Sequence, residues 1–119
     1  MEEEQLTIAD FPQDVVDFLS SYEGFEFAQK FVEGFKLDKE KVSSVIRLVE
    51  DVVIRYVALE DLPKEIVSRF GLSQDVANAA AVEIASVRLL PLEGVIGDVS
   101  GAIRDWGGDI AGIRAQTQF

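Results

Sequence analysis

The stretch Lys39-Glu40-Lys41-Val42-Ser43-Ser44-Val45-Ile46-Arg47-Leu48-Val49-Glu50-Asp51-Val52-Val53-Ile54-Arg55-Tyr56 decides the fold class. Its β-branched run Val52-Val53-Ile54 favours a strand. Its apolar residues do not alternate, however. Val42, Val45, Ile46, Val49, Val52, Val53 and Tyr56 recur at the spacing of one helical face. That periodicity persists over about twenty residues and outweighs local β preference, so a helix is expected from about Lys39 to Leu59. Asp38 is placed to cap it through its carboxylate, with Glu40 near the positive end of the helix dipole.

The flanking segments read the same way. Asp10-Phe11-Pro12 opens a helix whose face is Val15, Val16, Leu19 and Tyr22, with Gly24 as its expected stop. A second helix is expected from about Phe25 to Phe35, with Phe27, Ala28, Phe31, Val32 and Phe35 as its stripe. Six of the eight phenylalanines lie between Phe11 and Phe35, an aromatic cluster suited to a core. Asp61-Leu62-Pro63 starts a short helix ending at Gly71. Ser73 caps the next, which carries Val76, Ala77, Ala80, Ala81, Ile84, Val87 and Leu89. Its small residues suggest close approach of a neighbouring helix, and Leu90-Pro91 ends or kinks it.

Shifted by 35 residues, the chain partly matches itself. Phe27–Asp38 lies over Leu62–Ser73, with Val32/Val67, Phe35/Phe70 and Leu37/Leu72 identical and the caps Asp38 and Ser73 coincident. The expected architecture is therefore all-α. It is a compact bundle of about five to six helices built from repeated short-helix/long-helix pairs, because two units are few for an open solenoid. Residues 1–93 are expected to form this bundle, with residues 94–119 as a separate C-terminal segment.

From Val52 to Ile96 the chain also resembles a small all-helical domain of uncharacterised proteins from Parcubacteria-like candidate-phylum bacteria. The residues carrying the likeness are Val57-Ala58-Leu59, Leu62-Pro63-Lys64-Glu65-Ile66, Phe70-Gly71-Leu72-Ser73, Ala77, Ala80-Ala81, Glu83-Ile84 and Leu90-Pro91-Leu92. The resemblance implies an all-α fold and assigns no functional residue.

Composition narrows the chemistry. The chain has 119 residues, 22 acidic and 11 basic side chains, a formal net charge of −11, and neither cysteine nor histidine. Thiol chemistry, disulfides, Cys- or His-ligated metals and histidine bases are absent from its repertoire. A polyanion is a poor match for nucleic-acid phosphates. Hydrophobic residues make up 48% of the chain, enough for a core. Residues 1–27 hold eight acids and no base, leaving the remainder nearly balanced. That acidic start suits either a solvated face or a basic partner. With no basic n-region, no apolar h-region and no run approaching the roughly 20 apolar residues of a membrane span, the expected compartment is the cytoplasm.

Six of the nine glycines lie in residues 94–119, each costing about 1 kcal/mol against alanine inside a helix. Yet Ile96, Val99, Ile103, Trp106, Ile110 and Ile113 are spaced 3, 4, 3, 4, 3, an a/d seam carrying the one tryptophan. This seam is the expected partner-binding surface, for a protein partner or for homo-oligomerisation. The acidic, lysine-free polar face disfavours a membrane surface. No phosphate loop, dinucleotide fingerprint or EF-hand is present. Gly97-Asp98-Val99-Ser100-Gly101 lacks the glycine pattern and the histidine of a nucleophile elbow, and Asp105 with Asp109 offers too few ligands for a cation. The expected function is a non-enzymatic interaction or scaffold module without cofactor. The alternatives are an acidic decoy for a basic nucleic-acid-binding surface and a carrier of a small apolar ligand or lipid in the Phe11–Phe35 cluster.

Overall fold

In the computed structural model, which describes residues 11–108, the order of helices is α1 (Gln13–Leu19), α2 (Tyr22–Gly34), α3 (Val42–Val53), α4 (Leu62–Phe70), α5 (Gln74–Ile84), α6 (Glu93–Ile96) and α7 (Val99–Asp105). No strand occurs among the described residues. The chain divides into two compact units at Ala58/Leu59. The boundary expected at residue 93 falls inside the second unit, which takes in residues 94–108.

In the first unit α2 packs on α3. Its apolar core includes Val15 and Leu19 of α1, Ala28, Phe31 and Val32 of α2, Val45, Leu48, Val49, Val52 and Val53 of α3, and Val57 beyond it. The expected break at Gly24 lies earlier, at Ser20-Ser21, where the Ser21 hydroxyl donates to the Phe18 carbonyl at 2.7 Å. Gly24 is instead buried within α2. Tyr22, expected on the inward face of α1, starts α2 and is 69% exposed. The entry to α3 is a 3-10 turn, Lys39–Lys41, and the Asp38 side chain makes no capping bond there.

The ends of α2 and α3 explain their lengths. The Leu37 amide donates to the Val32 carbonyl at 2.8 Å and the Lys36 amide to Glu33 at 3.2 Å. At α3, the Tyr56 amide donates to Asp51 at 2.8 Å and Arg55 to Val52 at 3.1 Å. Both are Schellman ends, with Lys36 (φ 56°) and Arg55 (φ 65°) in the left-handed region. Helix α3 therefore stops short of the expected Leu59, and Tyr56, expected on its apolar face, projects 67% exposed. A left-handed non-glycine residue is strained, and a cation at a helix C-terminus returns part of that cost. Arg55→Gly should stabilise the first unit by about 0.5–1 kcal/mol, seen as a rise of several degrees in its thermal midpoint; a lower midpoint would contradict this account of the turn.

In the second unit α4 packs on α5. Leu62, Ile66, Ala77, Ala80, Ala81 and Ile84 are fully buried. The alanines let the two helices approach. Gly71 ends α4 in the left-handed conformation (φ 69°), its amide donating to Val67 at 3.0 Å. The Ser73 side chain caps α5 by accepting from the Val76 amide. Ahead of Pro91 the chain widens into a π-helical turn, Ala85–Leu89, then tightens into a 3-10 turn, Leu90–Leu92. Val76 and Val87, among the apolar residues read for this helix from the sequence, are 40% and 43% exposed.

Candidate interaction surface

The C-terminal seam is interrupted twice. Gly97 (φ 123°) separates the single turn α6 from α7, and Gly107 (φ 91°) ends α7. The second break is a complete Schellman end, with the Gly108 amide donating to Ile103 at 2.8 Å and Gly107 to Arg104 at 3.0 Å. Two carboxylates hold the start of α7. Asp98 accepts from the Gly101 amide at 2.9 Å and Glu93 accepts from the Ser100 amide at 2.7 Å. The helix lies on the π turn and on the Leu59–Asp61 turn of its own unit.

These contacts place the seam residues. Val99 and Ile103 are fully buried, Ile96 and Trp106 are half-buried, and Ile110 and Ile113 lie outside the described residues. Asp109, half of the Asp105/Asp109 pair, also lies outside them. A side chain on Gly108 would run into the Ile103 side chain and come within 3.1 Å of its carbonyl oxygen and of Val82. The middle of the seam is thus core of the second unit, packed closely enough to need glycine at its end. Gly108→Ala should destabilise that unit by about 1–3 kcal/mol, measurable by chemical denaturation; an unchanged midpoint would show that the approach is looser than it looks.

The open apolar surface lies on the first unit instead. Tyr22 and Phe25 stand 69% and 42% exposed on α2, their ring centroids 6.2 Å apart. Phe25 is also the lip of an open cleft of about 790 Å³. Phe25, Gln29 and Val32 of α2 form one side, Leu37 lies in the turn, and Val42 and Ser43 belong to the start of α3. Glu33, Lys36, Lys39 and Glu40 also border it. Two acids and two bases leave no net charge on those four residues.

The remaining aromatic residues of α2 face elsewhere. Phe27, Phe31 and Phe35 form a ladder with centroid separations of 5.9 and 4.7 Å, and Phe31 is 3% exposed. Of the six phenylalanines clustered in the sequence, three form this ladder and Phe25 joins Tyr22 in the exposed pair. Tyr22 and Phe25 were hidden in the sequence by the placement of the helix boundary. Once α2 begins at Tyr22, the residues Tyr22, Phe25, Gln29 and Val32 fall at spacings of 3, 4 and 3 along one side, and Lys36 follows in the turn beyond Gly34.

Chemistry on this surface is limited to burial, hydrogen bonding and weak ion pairing. Farther along α3, outside the cleft lining, the buried Asp51 carboxylate pairs with the exposed Arg47 guanidinium at 3.2 Å. No group of three or more acidic side chains suited to a metal ion occurs among the described residues. Among the same residues no helix is long and apolar enough to cross a membrane.

Comparison with protein-family models, curated proteins and solved structures finds no match.

Proposed function

We propose that the protein is a non-enzymatic interaction module whose contact surface is the Tyr22/Phe25 pair and the cleft beside it. One observation carries this reading: two adjacent aromatic side chains left exposed where they lead into an apolar cleft. Exposed apolar patches mark interaction sites, and tyrosine is common among residues that dominate binding energy. The C-terminal seam, by contrast, has Val99 and Ile103 committed to its own unit.

The test is capture from native lysate by the full chain and by a Tyr22→Ser/Phe25→Ser double variant. Binding is expected to be lost in the variant, with its helical circular dichroism unchanged, and to persist at high salt. Undiminished capture by the variant would overturn this surface. Binding that collapses with salt would instead favour the acidic-decoy reading, for which Asp14, Asp17, Glu23 and Glu26 are the described acids of the acidic start, all of them exposed. The cleft volume also lies within the range of small-molecule sites, which supports a carrier of a small apolar ligand as the second reading. Native mass spectrometry of the purified chain decides it by the presence or absence of a bound mass.

We also infer that the bundle is built from duplicated helix–turn–helix pairs. Under the 35-residue shift the left-handed residues Lys36 and Gly71 coincide. Phe31/Ile66, Val45/Ala80 and Val49/Ile84 are buried at matching positions.

A further inference from the structure

We propose that the occupant of the α2 surface is a second copy of this chain, bound antiparallel across a two-fold axis at Gln29. This deepens the interaction reading above and rests on it. A two-fold interface needs one patch that is complementary to itself. Helix α2 has that property because the protruding feature and the receiving feature lie on the same side of one element. Tyr22 and Phe25 project from its N-terminal half, and the cleft flanks its C-terminal half.

The spacing fixes the register. Tyr22 lies seven residues before Gln29, about 10 Å along the helix, and Lys36 lies seven residues after it, in the turn that follows the end of α2 at Gly34. An antiparallel pair centred on Gln29 therefore brings Tyr22 to the turn that holds Lys36 of the partner subunit. It also sets Phe25 against the cleft edge at Val32 and Glu33 of the partner subunit. The first contact joins an ammonium group to an aromatic face, and the second buries apolar surface. Gln29, exposed and central, has both a donor and an acceptor on its amide, so two copies can bond reciprocally across the axis. A single polar residue in such a seam specifies register.

Charge selects the direction. The N-terminal half of α2 carries Glu23 and Glu26 with no base. The opposite end carries Lys30, Lys36, Lys39 and Lys41 against Glu33, Asp38 and Glu40. An antiparallel pair lays the acidic end on the lysine-rich end, whereas a parallel pair lays acid on acid. Like charges so placed repel.

The chain has no cysteine, so a single introduced thiol reports only on itself. Sedimentation of the full chain over a concentration series should show a monomer–dimer equilibrium. Phe25→Glu should weaken it at least about tenfold, with unchanged circular dichroism. Under mild oxidation Gln29→Cys chains should form a disulfide-linked dimer. Tyr22→Cys chains should not, because their thiols would be about 20 Å apart along the pair. A mixture of Tyr22→Cys and Lys36→Cys chains should give the mixed disulfide.

Three results overturn the proposal: a monomer throughout the series, a Phe25→Glu chain that dimerises like the original, or Tyr22→Cys linking as fast as Gln29→Cys. A monomer whose capture of another protein still depends on Tyr22 and Phe25 removes the second copy and leaves the interaction module. Loss of both removes both.

Discussion

Truncation after Glu93 is expected to unfold the second unit. The seam read from the sequence suggests the opposite result, a folded bundle released from a docking tail. The structure decides between them through two residues. Val99 and Ile103 are both fully buried, and burying such a side chain contributes roughly 1.5–3 kcal/mol. Half-buried Trp106 is lost with them, as are the Ser100 and Gly101 amides that the Glu93 and Asp98 carboxylates accept from. The sum is on the order of 5 kcal/mol, comparable with the whole stability of a small domain. Removal also bares apolar surface on the π turn Ala85–Leu89, where α7 rests. Circular dichroism and calorimetry of the truncated chain should therefore show the loss of a cooperative transition. A truncated chain that keeps its helicity and its thermal midpoint would show that α7 is an appendage and return the seam to candidacy as a docking segment.

Phe31→Ala is expected to cost about 3–5 kcal/mol. Phe31 sits at the centre of the ladder, 5.9 Å from Phe27 and 4.7 Å from Phe35, and is almost wholly enclosed. Its removal leaves a cavity and also breaks two aromatic contacts, each contributing roughly 0.5–1.5 kcal/mol beyond area. Denaturant titration should show a large fall in the midpoint, with Phe25→Ala nearly silent by comparison. If Phe31→Ala were tolerated while the purified chain lost a bound apolar compound, the ladder would be the wall of a ligand cavity and the carrier reading would gain.

The helical class was legible because it depends on periodicity, a property of the chain itself. Helix α3 shows both the reach and the limit of that signal. Its inward face, Val45, Val49, Val52 and Val53, was readable from spacing. Its end was not, because Arg55 and Tyr56 carry no sequence mark of a left-handed turn. Gly71 does carry one, and the end of α4 was placed correctly. The same difference explains the candidate site. The boundary between α1 and α2 lies at two serines, which signal a stop less clearly than the glycine three residues later. Misplacing it put Tyr22 on the wrong helix and hid the exposed pair.

Sequence alone determined which chemistry the protein lacks, since no folding can supply a thiol or an imidazole the chain does not contain. It also determined that the chain is helical and where most inward faces lie. Tertiary structure decided which apolar stripes remain open. The seam around Ile103 and the stripe from Tyr22 to Val32 share the 3, 4 spacing, yet the first has Val99 and Ile103 fully buried by its own unit while the second leaves Tyr22 and Phe25 exposed. Periodicity records that a face is apolar. Whether that face is covered depends on residues far away in the chain, and here that difference put Val99 and Ile103 in the core and left Tyr22 and Phe25 exposed.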